Sequence, residues 1–301
     1  MIVPRLVSVI VPVFNGADTV GDTLQALMAQ SNVPPNTEFI MVDNGSTDGT
    51  QDIIRKFNVT FLEEEKRGPS AARNRGLKHA TGEIIAYLDA DTLPTRRWLA
   101  EIVQPFVDPN VILAAGRILC YQPQTGAERY IAASGLLEVE RTIARKPFPF
   151  APAANMAVRR QAALAIGGWS EDLMTAEDVD FCHRMLAKFS STIVFQREAL
   201  LFHRNRTTAE RLRKQAWTYG EGAAQMYLRY PDTVQWDVKK TLVLSGRLAA
   251  RAVMPAILYA ASTLRMASQE QLEFSQYHRL WSWWFWRGFF SMYRYGERRA
   301  F

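Results

Sequence analysis

Hydrophobic and polar positions follow two alternating periods along the first ninety residues. Four Val/Ile-rich runs have the length and composition of strands buried on both faces: LVSVIVPVF, EFIMVD, VTFLEE and EIIAYL. Three segments between them carry apolar residues at helical spacing: DTVGDTLQALMAQ, STDGTQDIIRKF and PSAARNRGLKHATG. The first helix is predicted to bury Val20, Leu24, Leu27 and Met28 on one face. This alternation predicts an α/β fold with a mainly parallel sheet between helices, in which ligands bind beyond the carboxyl ends of the strands.

Polar and charged residues gather at those predicted strand ends. They are, in chain order, Asn15, Asp18, Asp43, Arg67, Arg73, Asp89 and Asp91. A crevice that carries both signs of charge suits a ligand with donor groups, phosphates and a metal. No G-x-G-x-x-G follows the first strand and no G-x-x-x-x-G-K-[ST] occurs, so neither a dinucleotide site of the usual kind nor a P-loop is expected.

Asp89 and Asp91 follow a run of apolar residues directly, and carboxylates at the end of a buried strand are costly unless something compensates them. Two aspartates with one residue between them can both face a divalent cation where the backbone stops alternating regularly. Hard oxygen ligands of this kind suit Mg²⁺ or Mn²⁺. A solvated turn is the alternative, and the D-x-D by itself does not decide between the two.

Composition narrows the class of protein. The chain has 301 residues and is 48% hydrophobic, enough for one large core or two smaller ones. The N-terminal apolar run is too short for a signal peptide and fits a first strand better. Cys120 and Cys182 are expected to be reduced packing residues, which together with the N-terminus predicts a cytoplasmic location.

The motifs of the first two thirds of the chain resemble those of a known family. VSVIVPVFN, VDNGSTDGT, GPSAARNRGLKHATGEIIAYLDAD, ANMAVRR, IGGW and AEDVDFCHR occur in the order and spacing of the family 2 glycosyltransferases, over about residues 6–205. These enzymes have the nucleotide-diphospho-sugar transferase architecture called GT-A. The resemblance implies a GT-A catalytic domain over residues 1–205, with a nucleotide-sugar half over about 1–92 and an acceptor half over about 93–205. Residues 206–301 then form a helical C-terminal extension.

The resemblance also implies which residues bind the donor. The backbone around Pro12 and Phe14, together with Asp43, holds the nucleobase, usually uracil, and Arg73 lies near the nucleotide. Asn15, at the end of the first strand, is grouped with these donor-binding residues.

Metal ligands and a catalytic base are implied in the same way. Asp89 and Asp91 flank the diphosphate, Asp91 is the closer ligand of Mn²⁺ or Mg²⁺, and His203 is a further ligand. Asp178 of AEDVD matches the general base of the family. Because Glu177 and Asp178 also stand in the first turn of a predicted helix, simple capping is the alternative.

Three residues are weaker candidates for the acceptor site. Asn155 of ANMAVRR is expected to contact donor or acceptor, Trp169 to stack on a sugar, and Glu177 to lie beside the acceptor. Trp169 fits an ordinary buried tryptophan equally well. Arg159 is a further candidate, or one half of a solvated pair with Arg160.

These roles describe a metal-dependent, inverting transfer of one sugar from a nucleoside-diphosphate sugar, expected to be UDP-linked, to a hydroxyl of a saccharide or polyprenyl-linked acceptor. Cell-surface polysaccharide or glycolipid synthesis is the expected context. RKQAW does not match the Q-x-x-R-W segment of processive members, so single-sugar transfer is favoured over polymer synthesis.

The C-terminal third is basic. Residues 201–301 carry 16 Lys/Arg and 7 Asp/Glu, whereas residues 1–200 carry 20 and 23. Arginines repeat on one face of each of two predicted helices, first Arg247, Arg251 and Arg265, then Arg287, Arg294 and Arg298. With the aromatic residues around them, they predict helices that lie in an anionic headgroup layer, placing the protein on the inner face of the cytoplasmic membrane. Packing of these helices on the catalytic domain or on a second subunit is the alternative, and no nucleic-acid-binding motif accompanies them.

Two rival functions have distinct sequence features. A haloacid-dehalogenase-type phosphatase also has a D-x-D at a strand end, but on its first strand and followed by Gly-Thr or Gly-Val, whereas here DADTL follows the fourth. A catalytically silent sugar-nucleotide-binding protein would not need Asp178.

Overall fold

The computed structural model of the protein describes residues 6–233, 238–264 and 266–299. The chain folds into two compact units. The first is formed by Met1–Leu119 and Glu138–Arg204, and the second by Cys120–Leu137 and Asn205–Phe301. The stretch Cys120–Leu137, which the sequence places in the acceptor half, therefore belongs to the second unit. Arg265 of the predicted arginine face lies outside the described residues.

A mixed sheet forms the centre of the first unit. Its strands in the described part of the chain are β1 (Val7–Val13), β2 (Glu38–Asp43), β3 (Thr60–Glu63), β4 (Ile84–Leu88), β5 (Thr92–Pro94), β6 (Leu113–Cys120), β7 (Asn155–Arg159) and β8 (Val194–His203). Their order across the sheet is β3-β2-β1-β4-β7-β6-β8-β5. The strands β3, β2, β1 and β4 are parallel, whereas β7 runs antiparallel to β4 and β6, and β5 antiparallel to β8. The predicted parallel arrangement thus holds for the first half of the sheet only.

Helices belong to both units. Those of the first unit are α1 (Val20–Met28), α2 (Thr50–Ile54), α3 (Pro69–His79), α4 (Trp98–Val103), α6 (Val139–Ile143), α7 (Arg160–Ala165) and α8 (Glu177–Phe189). Those of the second unit are α5 (Gly126–Ser134), α9 (Ala209–Arg229), α10 (Val238–Thr263) and α11 (Gln269–Arg299). None of the described helices is both long enough and apolar enough to cross a membrane.

The apolar periodicity predicts the core of the first unit well. The strand runs β1 and β4 are buried almost throughout, because helices cover both faces of the parallel half of the sheet. In α1, Val20, Leu24 and Leu27 are buried as predicted, but Met28 is exposed. Met28 lies about 80° around the helix from Val20, at the edge of the buried face. Cys120 and Cys182 are both free thiols, as expected.

The second unit is held together by close packing of α9 against α11. A Cβ atom on Gly220 of α9 would lie 1.9 Å from the carbonyl oxygen of Phe285, and a Cβ on Gly288 of α11 would lie 2.2 Å from that of Trp217. Each glycine therefore allows the backbone of the other helix to approach. These two positions fix the distance between the helices more strictly than any side-chain contact does.

Large apolar residues of α11 form the core of this unit. Trp281 and Phe289 are buried, and Trp281 packs with Tyr130 and Ile131 of α5 and with Leu212 of α9. The aromatic residues that the sequence places in a headgroup layer are thus covered largely by protein in α11. For this helix the packing alternative is correct, because its apolar side chains have partners within the second unit.

Candidate active site

The D-x-D forms the turn between β4 and β5, and two threonines hold this turn. The hydroxyl of Thr92 donates a hydrogen bond to the carbonyl oxygen of Asp89 over 2.6 Å. The hydroxyl of Thr23, buried in α1, lies 2.9 Å from the carbonyl oxygen of Ala90 and 2.8 Å from that of Thr92. Thr23 is a positioning residue that sequence reasoning missed, because a threonine within a helix carries no signal of its own.

Antiparallel pairing of β5 with β8 brings His203 beside this turn, since His203 lies opposite Thr92 in the register. The ligand atoms of Asp89, Asp91 and His203 all lie within 4.8 Å of one another. The Nδ1 atom of His203 is 2.8 Å from the carbonyl oxygen of Arg204 and donates its proton there, so Nε2 carries the lone pair. This Nε2 lies 3.5 Å from Oδ1 of Asp91.

The chemistry of this group fits a divalent cation. Two carboxylates and one imidazole provide oxygen and nitrogen ligands of the kind that Mn²⁺ accepts, and three protein ligands leave further positions for water and phosphate oxygens. A histidine whose second nitrogen donates to a backbone carbonyl is also the usual arrangement around a bound metal. The three predicted metal ligands are therefore brought together.

Arg73 of α3 connects the D-x-D to the N-terminus of α8. Its guanidinium group is only 4% exposed and lies 3.0 Å from Oδ1 of Asp89 and 2.9 Å from Oε1 of Glu177. It also lies over the ring of Trp169, 4.9 Å from the centroid. A permanently charged group buried between two carboxylates keeps both of them in place. Arg73 is thus a link within the site as well as a residue near the predicted nucleotide position.

Asp178 stands in the first turn of α8, next to Glu177. Its Oδ1 accepts a hydrogen bond from the backbone N–H of Val179 over 2.8 Å. Burial raises the pKa of Asp178 to about 7; the negative charge of Glu177 adds to this rise, and Arg73 opposes it. A carboxylate with a pKa near neutrality is suited to accept a proton at neutral pH. This property distinguishes Asp178 from an acid that only caps a helix.

Asp43, at the end of β2, has one carboxylate oxygen available for a ligand. Its Oδ2 accepts hydrogen bonds from the backbone N–H of Ser46 at 3.0 Å and from Nε2 of Gln51 at 2.8 Å. Its Oδ1 is buried and has no hydrogen-bond partner in the described part of the chain. Asp43 lines a pocket of about 580 Å³ together with Gln51 and Phe61. A buried carboxylate oxygen without a donor is costly, so a ligand N–H in this pocket would be stabilising.

The end of β1 lies close to the loop that follows β2. Phe14 is exposed, and the guanidinium of Arg67 lies 4.5 Å from the centroid of its ring. The side-chain oxygen of Asn15 accepts the backbone N–H of Thr47 over 2.9 Å, so Asn15 joins the two loops. Pro12 lies within β1, paired with Val42 of β2.

Two of the predicted acceptor residues are buried. The side chain of Asn155 accepts a hydrogen bond from Nε1 of Trp98 and donates to the carbonyl oxygens of Arg117 and Ala199. Its amide hydrogens are both used by protein, so Asn155 fixes the sheet and the structure does not support an acceptor contact. Trp169 is buried as well, with its ring stacked on Phe181 at 4.2 Å, which corrects the expectation of an exposed stacking face.

Two neighbouring residues have structural roles. The guanidinium of Arg159 donates to the carbonyl oxygens of Phe106, Asp108 and Val111, and so it forms neither a solvated pair nor a ligand contact. Asp180 is fully buried and accepts hydrogen bonds from Ser170 at 2.7 Å and Arg184 at 2.8 Å. It holds the loop before α8.

Comparison with known proteins now identifies the family. Residues 8–167, more than half of the chain, match Glycosyl transferase family 2. The chain belongs to this family. It is 32% identical over 231 residues to the glycosyltransferase AglE of Haloferax volcanii, covering 74% of each chain. It is 29% identical over 268 residues to the pre-mycofactocin glycosyltransferase of Mycobacterium tuberculosis, covering 86% of this chain and 53%, about half, of that relative.

Solved structures of glycosyltransferases share the fold of this family 2 member. The mannosyltransferase PcManGT of Pyrobaculum calidifontis, in complex with GDP-Man and Mn²⁺, has a TM-score of 0.65 at 22% identity over 93% of this chain and 86% of the other. The glucosyl-3-phosphoglycerate synthase of Mycobacterium tuberculosis, in complex with Mn²⁺, UDP and its product, has a TM-score of 0.55 at 17% identity over 74% and 79%.

The predicted family, the GT-A fold and the transferase class are confirmed. The chain is a glycosyltransferase that uses a nucleotide-sugar donor, and the phosphatase alternative is wrong. A helical C-terminal extension is present, as expected.

Proposed function

We propose that this family 2 glycosyltransferase transfers one sugar, with inversion, from a nucleoside-diphosphate sugar to a hydroxyl of a saccharide or lipid-linked acceptor. The connection from Asp89 through Arg73 to Glu177 carries this proposal. It joins the D-x-D, the metal and diphosphate side of the site, to the helix that bears Asp178. Two carboxylates with separate tasks thereby belong to one site.

Asp43 recognises the nucleobase in this proposal. Its buried Oδ1 accepts a ring N–H, while Ser46 and Gln51 hold its other oxygen. Phe14, Pro12 and Asn15 shape the same end of the sheet. Uridine is the proposed nucleoside, since its ring provides one such N–H. Guanosine also has a ring N–H, and because PcManGT was solved with GDP-Man, GDP-sugars are the alternative to be tested first.

The divalent cation, Mn²⁺ or Mg²⁺, would be held by Asp89, Asp91 and His203. When bound, such a cation neutralises negative charge that grows on the departing diphosphate. Arg73 keeps Asp89 oriented, and the bond from His203 to the carbonyl oxygen of Arg204 keeps the imidazole in one tautomer. These contacts prepare the site before the donor arrives.

Asp178 accepts the proton of the acceptor hydroxyl as that oxygen attacks the anomeric carbon. Its raised pKa leaves it basic enough for this task and still ionised near neutral pH. A single displacement inverts the anomeric centre, so an α-linked donor gives a β-linked product. No covalent nucleophile is needed, and Glu177 serves by holding Arg73.

The setting is also a proposal. Residues 1–205 are the proposed catalytic domain, apart from the stretch 120–137 that folds with the second unit, and residues 206–301 are the extension. We propose that the basic extension meets an anionic membrane surface on its cytoplasmic side, in synthesis of a cell-surface polysaccharide or glycolipid. The excess of Lys and Arg after residue 200 supports this setting.

A panel of sugar nucleotides tests the proposal directly. UDP- and GDP-sugars are added with and without Mn²⁺, and the melting temperature is measured. One donor should raise it by several degrees only when metal is present. Asp91→Asn should remove the metal-dependent part, whereas Asp108→Asn, a change at an exposed turn, should keep it. If no donor stabilises the protein, or if Asp91→Asn behaves as wild type, the proposed metal site is wrong.

A further inference from the structure

One side of helix α10 is covered by protein and the opposite side is not. On the side that meets α11, Pro255 is buried and Leu258 is half-buried. The opposite side, called here the outer face of α10, consists of six positions at helical spacing: Ala249, Val253, Ala256, Ile257, Ala260 and Leu264. All six are exposed, and Val253, Ile257 and Leu264 are exposed by 54%, 56% and 70%.

The outer face of α10 contains no polar residue. A helix on the surface of a soluble domain normally presents charged and polar side chains to water. Further apolar residues beside this face, Met254, Tyr259 and Met266, are exposed too. A continuous apolar surface of this kind marks a place where the protein meets a partner.

Charge indicates which partner this is. The stretch 238–269 contains no Asp or Glu, and its charged residues are Lys239, Lys240, Arg247, Arg251 and Arg265. Apposing two copies of such a helix would bring together surfaces with no opposite charge to pair them. Anionic lipid headgroups supply that opposite charge across the whole surface. Exposed Tyr259 and Trp283 are residues that favour the interface between water and lipid.

The length of the apolar part favours an interfacial position. The uncharged stretch 252–264 is about 20 Å long as a helix, which is less than the roughly 30 Å of a bilayer core. The cationic residues Arg247 and Arg251 lie on the N-terminal side of this stretch. The helix therefore suits a position within the headgroup and upper acyl layer.

We infer that the outer face of α10 is the surface that inserts into an anionic membrane, whereas α11 stays packed within the second unit. The inference rests on the membrane setting proposed above and deepens it, because it assigns lipid contact to one face of one helix. It does not depend on which donor or acceptor the enzyme uses.

Sedimentation of the full chain with lipid vesicles tests this assignment. Vesicles of phosphatidylcholine alone are compared with vesicles that contain about 30% phosphatidylglycerol, at low and high salt. Wild type should bind the anionic vesicles, and salt should weaken that binding in part. The double variant Val253→Glu/Ile257→Glu should lose binding by about tenfold or more, because carboxylates then face the acyl layer.

Val107→Glu is the matched control. Val107 belongs to the first unit and is 51% exposed, close to the 54% of Val253. This variant should bind vesicles as wild type does. Circular dichroism and the melting temperature are measured for each protein, and both changes are expected to leave the fold intact because the altered side chains are exposed.

Three results would overturn the inference. Wild type could ignore both kinds of vesicle, the double variant could bind as well as wild type, or the double variant could convert a dimer to a monomer without any lipid effect. The last result would assign the outer face to a second copy. Metal-dependent stabilisation by the donor is measured on the same proteins. If it is missing in wild type, the proposed catalytic function fails while the vesicle result still decides the role of α10.

Discussion

Replacing Asp178 by Asn should abolish transfer and at the same time stabilise the protein. Asp178 carries a raised pKa because burial and the charge of Glu177 disfavour its carboxylate. The folded protein binds this proton more tightly than the unfolded chain does. The resulting contribution to the free energy of unfolding is fully present below the unfolded pKa and is lost as the pH rises through the folded pKa.

The size of the effect follows from the two pKa values. A rise from 3.8 to about 7 corresponds to at most about 4 kcal/mol at pH values above the folded pKa. Asn has nearly the same shape, does not ionise and keeps an oxygen for the N–H of Val179. It loses the attraction to Arg73, and Asp178 is partly open to solvent. We therefore expect a net gain of about 1–2 kcal/mol at pH 8, or roughly 2–8 °C in melting temperature.

Thermal unfolding without metal or nucleotide, at pH 5 and at pH 8, measures this gain. The advantage of Asp178→Asn should be largest at pH 8 and should shrink towards pH 5, where wild-type Asp178 is mostly protonated. Asp180→Asn is the control on the same helix. Asp180 is ion-paired with Arg184 and bonded to Ser170, so its replacement should destabilise the protein at both pH values.

Transfer activity gives the second readout. Asp178→Asn should keep binding of donor and metal but lose transfer by about a hundredfold or more. For wild type, kcat/KM should rise with pH up to about pH 7 and then level, because the base must be ionised. The reasoning is refuted if Asp178→Asn is less stable than wild type at pH 8, or if it still transfers sugar at a comparable rate.

Two further predictions concern positioning and packing. Thr23→Val should require about tenfold more Mn²⁺ for half-maximal donor binding, because the carbonyl groups of the D-x-D turn lose their hydroxyl partner; equal metal affinity in calorimetric titration would contradict this. Gly220→Ala should cost about 1–3 kcal/mol of stability, since its Cβ would overlap the carbonyl oxygen of Phe285. Gly246→Ala in α10, where a Cβ meets nothing within 4 Å, should be neutral or stabilising by up to about 1 kcal/mol. Similar melting temperatures for the two variants would refute the packing argument.

Much of the fold can be read from local sequence. The periods of apolar residues predict β1, β2, β3 and β4 and the helices between them, because burial on one side or on both sides leaves a pattern in the sequence itself. The motif order predicts the family. It also indicates the candidate metal ligands Asp89, Asp91 and His203, which lie together in the structure.

The tertiary structure decides which residues become partners. Arg73 lies 16 residues from Asp89 and 104 residues from Glu177 in the sequence, and only the packing of α3 beside α8 brings both acids to its guanidinium group. Thr23 reaches the D-x-D turn across 67 and 69 residues. No local pattern records such contacts, since a buried polar residue looks the same in the sequence whatever it binds.

The two C-terminal helices show the same limit. Their mixture of arginines and aromatic residues indicates that large apolar side chains need cover, and composition alone determines that much. Whether protein or lipid supplies the cover depends on which neighbours the chain brings near. Gly220 and Gly288 let α9 approach α11 closely, so Trp281 and Phe289 of α11 are buried by protein. The outer face of α10 has no such neighbour and remains exposed, because α11 covers only the opposite side of that helix.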